Sequence, residues 1–166
     1  HHTYRYETGA VWHESYSPTF CREAIEFPIN APADAVAYTM DEIRTVENCD
    51  LVQLKDSVDA YHDAGFFVEG GVVGAWQSIY YYLTSFENIL TWMAVESEAA
   101  KSLFDATTAY SLKTAEALLR CGVNSVTAPS DFGSGSSLLF SPELFELYAW
   151  PWLKKMADLC HSYGSY

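Results

Sequence analysis

Two short stretches carry residue types that could do chemistry. The first is Ser130-Asp131-Phe132-Gly133, which follows a β-branched run from Val123 to Thr127 and a strand-ending Pro129. A carboxylate at Asp131 could act as general acid or base, or hold a cation. Aspartate equally makes local turns and caps. The second is Tyr80-Tyr81-Tyr82, behind the glycines at 70, 71 and 74. A phenol there could donate a hydrogen bond to a developing anion, while core packing would account for two of the three. Glycines after a strand serve a tight strand-to-helix connection or the close approach of a ligand to backbone. Asp131-Phe132-Gly133 matches a kinase triplet, but the sequence has no glycine-rich loop, lysine strand or His-Arg-Asp loop to go with it. Gly133-Ser134-Gly135-Ser136-Ser137 could offer amides to a phosphate, yet it lacks the Gly-Lys-Ser/Thr ending of a P-loop and reads as a flexible loop.

The elements that must position these residues are legible in part. Alternation over residues 3–14, with Gly9 in the middle, predicts a hairpin, and residues 20–29 are extended. Asn30 is placed to cap a short helix over Ala33 to Met40 with Pro32 in its first turn. A second helix is expected from about Cys49 to His62, ended by Gly65. Phe66 to Glu69 reads as a short buried strand. Helices follow over Trp76 to Leu83 and Phe86 to Glu96. The longest helix starts at Ser97 as N-cap and runs to Cys121, with Leu103, Ala106, Tyr110, Ala117 and Cys121 as its apolar stripe. Gly122 closes it, and Val123 to Ala128 is the next strand. Ser141 then caps a helix that opens with Pro142. After Pro151 a last helix points Leu153, Met156, Ala157 and Cys160 inward. Strand, helices, strand and helix make a βαβα unit, so the two strands should be parallel neighbours with a right-handed crossover. Their loops at the carboxyl ends would then share one rim.

The totals bound the partners. The chain has 166 residues, 49% hydrophobic and 19% charged, and is expected to be globular. Its net charge of −13 argues against nucleic acid and against anionic membrane surfaces. Cys21, Cys49, Cys121 and Cys160 are far apart, with no Cys-x-x-Cys or Cys/His zinc spacing; Cys121 and Cys160 fall on helical apolar stripes and read as buried thiols, and a reducing cytoplasm fits best. His13 and His62 have no partners at ligand spacing. No signal peptide or membrane-length apolar run is seen. The sequence starts at His1-His2 without Met and stops at Tyr166 just after Gly164. It reads as an internal piece of a longer protein, expected to be unstable and inactive alone.

Several pieces together resemble the uroporphyrinogen decarboxylase family, which includes decarboxylases of haem synthesis and corrinoid-linked methyltransferases. They are Gly74-Ala75-Trp76, Phe86-Glu87-Asn88-Ile89-Leu90, the run from Gly122 to Gly133, Ser141-Pro142-Glu143-Leu144-Phe145, and Pro151-Trp152-Leu153-Lys154-Lys155. The resemblance runs from about residue 3 to the end. It implies an α/β fold, part of a TIM (β/α)8 barrel, with residues 1–30 as an extended lid-like segment and 31–166 as helices and two barrel strands. Counting from Trp76, the resemblance places Tyr81 at the family's active-site tyrosine and Ser130 at its site serine. Where many members have Asp-Trp-Gly, this chain has Asp131-Phe132-Gly133. The implied site is thus Tyr81 and Asp131 as catalytic residues, with Ser130, Gly71, Gly74, Trp76 and Gly133 around substrate.

The resemblance implies cofactor-free decarboxylation of a porphyrinogen or related anionic tetrapyrrole. A second implied activity is zinc-dependent methyl transfer with a corrinoid protein, and a third reading is a non-catalytic α/β interaction module. The arginine-rich segment and aspartate of the decarboxylases would precede His1. The His-x-Cys and later Cys zinc ligands of the methyltransferases would follow Tyr166, so no metal site is expected within the chain. A homodimer is expected for the full-length protein. Only nine basic residues are present, which weighs against a substrate with many carboxylates.

Overall fold

The computed structural model describes residues 2–16, 18–38, 51–95 and 97–166. Three strands open the chain: β1 (His2–Arg5), β2 (Val11–Ser15) and β3 (Cys21–Glu26). They form one antiparallel sheet in the order β1-β2-β3, with Tyr4 opposite Trp12 and Trp12 opposite Ala24. The expected hairpin and the extended segment are therefore one meander. Its tight turn closes through Tyr6 N–H to Ala10 O at 2.8 Å.

Helix α1 (Pro32–Ala37) follows, with Pro32 in its first turn. Its N-cap is Ala31, not Asn30; the Asn30 side chain instead donates to Phe27 O at 2.8 Å. Helix α2 spans Leu51–Asp63. The expected start of that helix at Cys49, and the end of the preceding one at Met40, fall outside the described residues.

A parallel pair forms the second sheet: β4 (Glu69–Gly71) beside β5 (Ser125–Thr127), with Gly70 opposite Val126. The parallel pairing was anticipated, but the first strand lies further along the chain than Phe66 to Glu69. Phe66 and Phe67 are 62% and 66% exposed. The ladder gains its footing instead from Asn124, whose Oδ1 accepts from Val68 N–H at 2.7 Å while its backbone N–H donates to Val68 O. Tyr166 bonds along the other edge of β5: its N–H donates to Asn124 O, and Val126 N–H donates to Tyr166 O at 2.8 Å. Bonding to residues 124 and 126 of the neighbour is the pattern of a parallel bridge.

Between the strands run α3 (Ala75–Ser78), a wider π turn over Ile79–Leu83, α4 (Phe86–Ala94) and α5 (Glu98–Arg120). Ser85 and Ser97 cap α4 and α5, accepting from Asn88 N–H and Ala100 N–H. Gly122, at φ +93°, ends α5 in a conformation that other residues adopt at a cost. After β5 come α6 (Pro142–Leu144), capped by Ser141, a second π turn over Phe145–Ala149, and α7 (Trp150–Ser162).

Helix α5 is the spine. It packs on α1, α3, α4, α7 and both strands of the parallel sheet. Its buried face overlaps the expected one at Leu103 and Cys121, but Ala106, Tyr110 and Ala117 are only half-buried, whereas Phe104, Thr107, Ser111, Ala115 and Leu119 are inside. Two hydroxyls are tolerated there because each has an acceptor. Thr107 donates to Leu103 O, and Ser111 donates to Val73 O at 2.8 Å. On α7 the inward residues are Trp152, Met156 and Cys160, while Ala157 is exposed. Apolar packing divides into a cluster around Trp76, Leu83, Met93, Leu103 and Phe140 and another around Val58, Val72, Leu119, Val123 and Met156. The protein is thus a mixed α/β fold with two small sheets, and no closed barrel is formed by the described residues.

Candidate functional site

Parallel pairing sends the chain out of β4 and β5 at the same end. The segment leaving β4 holds Val72, Val73 and Gly74 and then opens α3. The segment leaving β5 holds Ala128, Pro129, Ser130 and Asp131. They are locked together by Trp76, whose Nε1–H donates to Asp131 O at 2.7 Å. Trp76 was expected to touch substrate; it is fully buried and spends its one donor on that carbonyl, so it positions the loop from within the core.

Gly74 and Ser130 form the second lock. A Cβ on Gly74 would lie 2.0 Å from Ser130 Oγ, 2.8 Å from Pro129 O and 2.8 Å from Trp152 Cη2. The space beside Gly74 is filled by the protein, which accounts for the missing side chain without a ligand. Ser130 Oγ is buried and has no hydrogen-bond partner among the described residues, and the same holds for Trp152 Nε1. Gly70 meets Leu118 of α5, and a Cβ on Gly71 would make only an ordinary contact, with Thr127 Oγ1 at 3.8 Å.

Asp131 is exposed, and its Oδ1 accepts from Gly133 N–H at 3.2 Å. That is the local turn foreseen as one of its two readings. Beyond it, Gly133 bridges Leu138 and Leu139 N–H donates to Phe132 O, so the serine-rich loop is a short hairpin with Ser134 bonded to Ser137.

The tyrosines sit on the π turn, a form of helix that recurs at functional sites. Tyr80 lies tilted beside Trp76 at 5.1 Å and meets Phe86 edge-on at 5.5 Å. Its phenol pKa is pushed up to about 12 by burial, with the charges of Tyr81 and Asp131 adding to the effect. Tyr81 lies against the N-terminal sheet: its ring stacks on Trp12 at 5.1 Å and 18°, and its carbonyl accepts from Trp12 Nε1–H at 2.9 Å. Tyr82 packs edge-on against Tyr6 at 4.8 Å. Burial above all, then the Tyr6 charge, raises the Tyr82 pKa.

Sequence reasoning did not single out Arg22. Its guanidinium lies 4.7 Å from the Trp12 ring centroid and 5.5 Å from that of Tyr81, and it hydrogen-bonds Tyr6 Oη. Burial works against its charge, but the Tyr6 and Tyr4 phenols beside it outweigh this and its pKa lies above the usual guanidinium value. The alternation of β3 could have pointed to it, because Arg22 and Ala24 face the same side as Trp12 across the ladder. A cleft of about 500 Å³ opens here, lined by Trp12, Arg22, Tyr80, Tyr81 and Phe86 among others. A second cleft, about 450 Å³, lies by Arg5, Ser78 and Tyr110, but Arg5 is engaged there with Glu26 and Gly9 O.

Cys121 and Cys160 are buried thiols whose pKa values burial raises, and Cys21 is exposed. His62 bonds Asn124 Oδ1 at 2.9 Å, tying α2 to β5. Among the described residues, no three His, Cys, Asp or Glu side chains converge on a point that would hold a metal ion, so none of them fits zinc. No helix of the described residues is long and apolar enough to cross a membrane.

The family model described as uroporphyrinogen decarboxylase (URO-D) matches residues 23–165. No curated protein and no solved structure matches the chain.

Proposed function

The chain belongs to the uroporphyrinogen decarboxylase family, and from that premise we propose that it works within a (β/α)8 barrel in the cofactor-free decarboxylation of a porphyrinogen or related anionic tetrapyrrole. The observation that carries this reading is the joining of the two strand-end segments, with Trp76 Nε1–H on Asp131 O at 2.7 Å. TIM-barrel chemistry occurs at the carboxyl ends of the strands, and here two such ends are held side by side. Tyr166 pairing on the far edge of β5 supports the same architecture, since it extends the parallel sheet by one position.

Each group would have a definite task. Protonating a pyrrole carbon would create a ring cation. When carbon dioxide leaves, the electron pair of the broken C–C bond would neutralise that cation as an exocyclic methylene, which takes a proton from solvent as the ring carbon gives its own back. The exposed carboxylate of Asp131 would stabilise the positive charge. Tyr81, held against Trp12 of the N-terminal sheet, would orient the ring. Tyr80 keeps its proton through neutral pH, so it would donate a hydrogen bond and add no negative charge. Ser130 Oγ, lacking a partner among the described residues, would find one in substrate only after the loop shifts.

Asp131→Asn tests the reading in the full-length protein. Asparagine keeps the Oδ1 acceptor for Gly133 N–H, so melting should stay the same while turnover falls by roughly a hundredfold or more. Unchanged turnover would return Asp131 to a turn residue.

A further inference from the structure

We propose that the cleft between the N-terminal sheet and the π turn binds a flat aromatic ring carrying one carboxylate, with Arg22 as the group that takes the anion. The proposal deepens the reading above, since Tyr80 and Tyr81 line this cleft, but three of its lining residues lie outside the family match. Trp12, Phe20 and Arg22 all precede residue 23, where that match begins. Strands β1 and β2 of this sheet also precede the match, and Trp12 on β2 stacks on Tyr81 of the π turn.

The walls argue for a flat ring. Trp12, Phe20, Phe27, Tyr80, Tyr81 and Phe86 line the cleft. Trp12 and Tyr81 are already stacked on each other, whereas Phe20 and Phe86 are 60% and 38% exposed. Rings left open at the lip of a concave site keep apolar surface in water that an aromatic ligand would cover. The volume, about 500 Å³, is in the range of small-molecule sites.

Arg22 argues for the anion. In a chain of net charge −13, an anion is admitted only where a local cation offsets the field. Arg22 Nε is buried without a hydrogen bond and meets the Glu14 carboxylate only at 3.5 Å. That carboxylate is shared, since the Tyr4 and Tyr16 hydroxyls both donate to it. A guanidinium has five N–H donors in a fork that matches a carboxylate, so Tyr6 and Glu14 do not saturate it. Stacking against Trp12, Tyr4 and Tyr81 holds the fork in place before a ligand arrives. The number of anionic groups is set by the charges nearby. Arg22 is the one cation among the lining residues and Glu23 lies beside it, so a second carboxylate in the cleft would be repelled.

Calorimetric titration of the full-length protein with 2-naphthoate, 2-naphthylmethanol and cyclohexanecarboxylate reads this directly and needs no turnover. Failure of decarboxylation therefore leaves the binding result standing. 2-Naphthoate should bind roughly ten- to a hundredfold more tightly than the neutral alcohol, and more tightly than the non-aromatic acid. Arg22→Met should abolish the preference for charge. Arg22→Lys, which keeps the cation if the Met variant unfolds, should retain part of it. Phe20→Ala, at an exposed ring, should weaken the acid and the alcohol alike. Displacement of 2-naphthoate by uroporphyrin would identify the ligand as a tetrapyrrole that sets one carboxylate of a ring on Arg22 and leaves the other outside the cleft, and no displacement would identify a free aromatic acid. Absence of 2-naphthoate binding, equal affinity for acid and alcohol, or a preference unchanged in both Arg22 variants would overturn the proposal.

Discussion

Adding one methyl group at position 74 should cost more stability than almost any other single carbon placed in this chain. The Cβ of Gly74→Ala would stand 2.0 Å from Ser130 Oγ, 2.8 Å from Pro129 O and 2.8 Å from Trp152 Cη2. All three contacts are far inside van der Waals distance. Serine could rotate away, but Pro129 O is backbone, and Trp152 is fully buried and packed. Overpacking that moves backbone lies at the top of the usual range or beyond it, so the penalty should be about 3 kcal/mol. For a chain of 166 residues that lowers the melting temperature by roughly 6–12 °C. Gly71→Ala is the control. Its nearest neighbour would be Thr127 Oγ1 at 3.8 Å, an ordinary contact, so the cost should be near zero or slightly favourable through the unfolded chain. Ser130→Gly on the Gly74→Ala background should recover less than half of the loss, because Pro129 O and Trp152 remain. Urea unfolding of the three variants measures all of this. A loss at Gly74 below about 1 kcal/mol, or equal losses at 71 and 74, would refute the idea that close approach of the two strand-end segments explains Gly74.

Ser130→Ala should leave stability unchanged or slightly raised, since Ser130 Oγ is a buried hydroxyl without a partner among the described residues; a clear drop in urea midpoint would mean that the hydroxyl is satisfied in solution. Asn124→Ala removes the acceptor of Val68 N–H and of His62, so it should destabilise by roughly 2–3 kcal/mol and speed amide exchange at Val68. In the alkaline range, the Tyr80 phenol is pushed up by burial to about 12 from its ordinary value of 10.0, so its neutral form is favoured by folding. Its contribution is complete below pH 10 and is lost as pH rises towards 12. Melting followed across that range should fall, and Tyr80→Phe should blunt the fall; an unaltered profile would contradict the burial of that phenol.

Local chemistry was legible from the residues alone. Ser97 and Ser141 cap their helices because a serine hydroxyl reaches the N–H three residues on, as Ala100 and Leu144 show. Gly122 ends α5 because it accepts a positive φ. The parallel pairing of two short strands followed from the order of elements. All of these depend on neighbours within a few positions, or on chain connectivity. What only tertiary packing decided is which face or atom points where. Phe66 and Phe67 read as strand interior, but the ladder starts later because Asn124, far along the chain, bonds Val68. The buried face of α5 keeps Leu103 and Cys121 but takes in Thr107 and Ser111, which find acceptors inside, Ser111 on a carbonyl 38 residues away. Ser130 stands at the predicted strand end, yet its hydroxyl turns under Gly74 instead of towards the rim. Arg22 is charged and lies near the start of the chain, so composition alone places it on the surface. Trp12 and Tyr81, 69 residues apart, stack to make its seat. Such contacts join segments that share no local periodicity, and their energy exists only once both are in place.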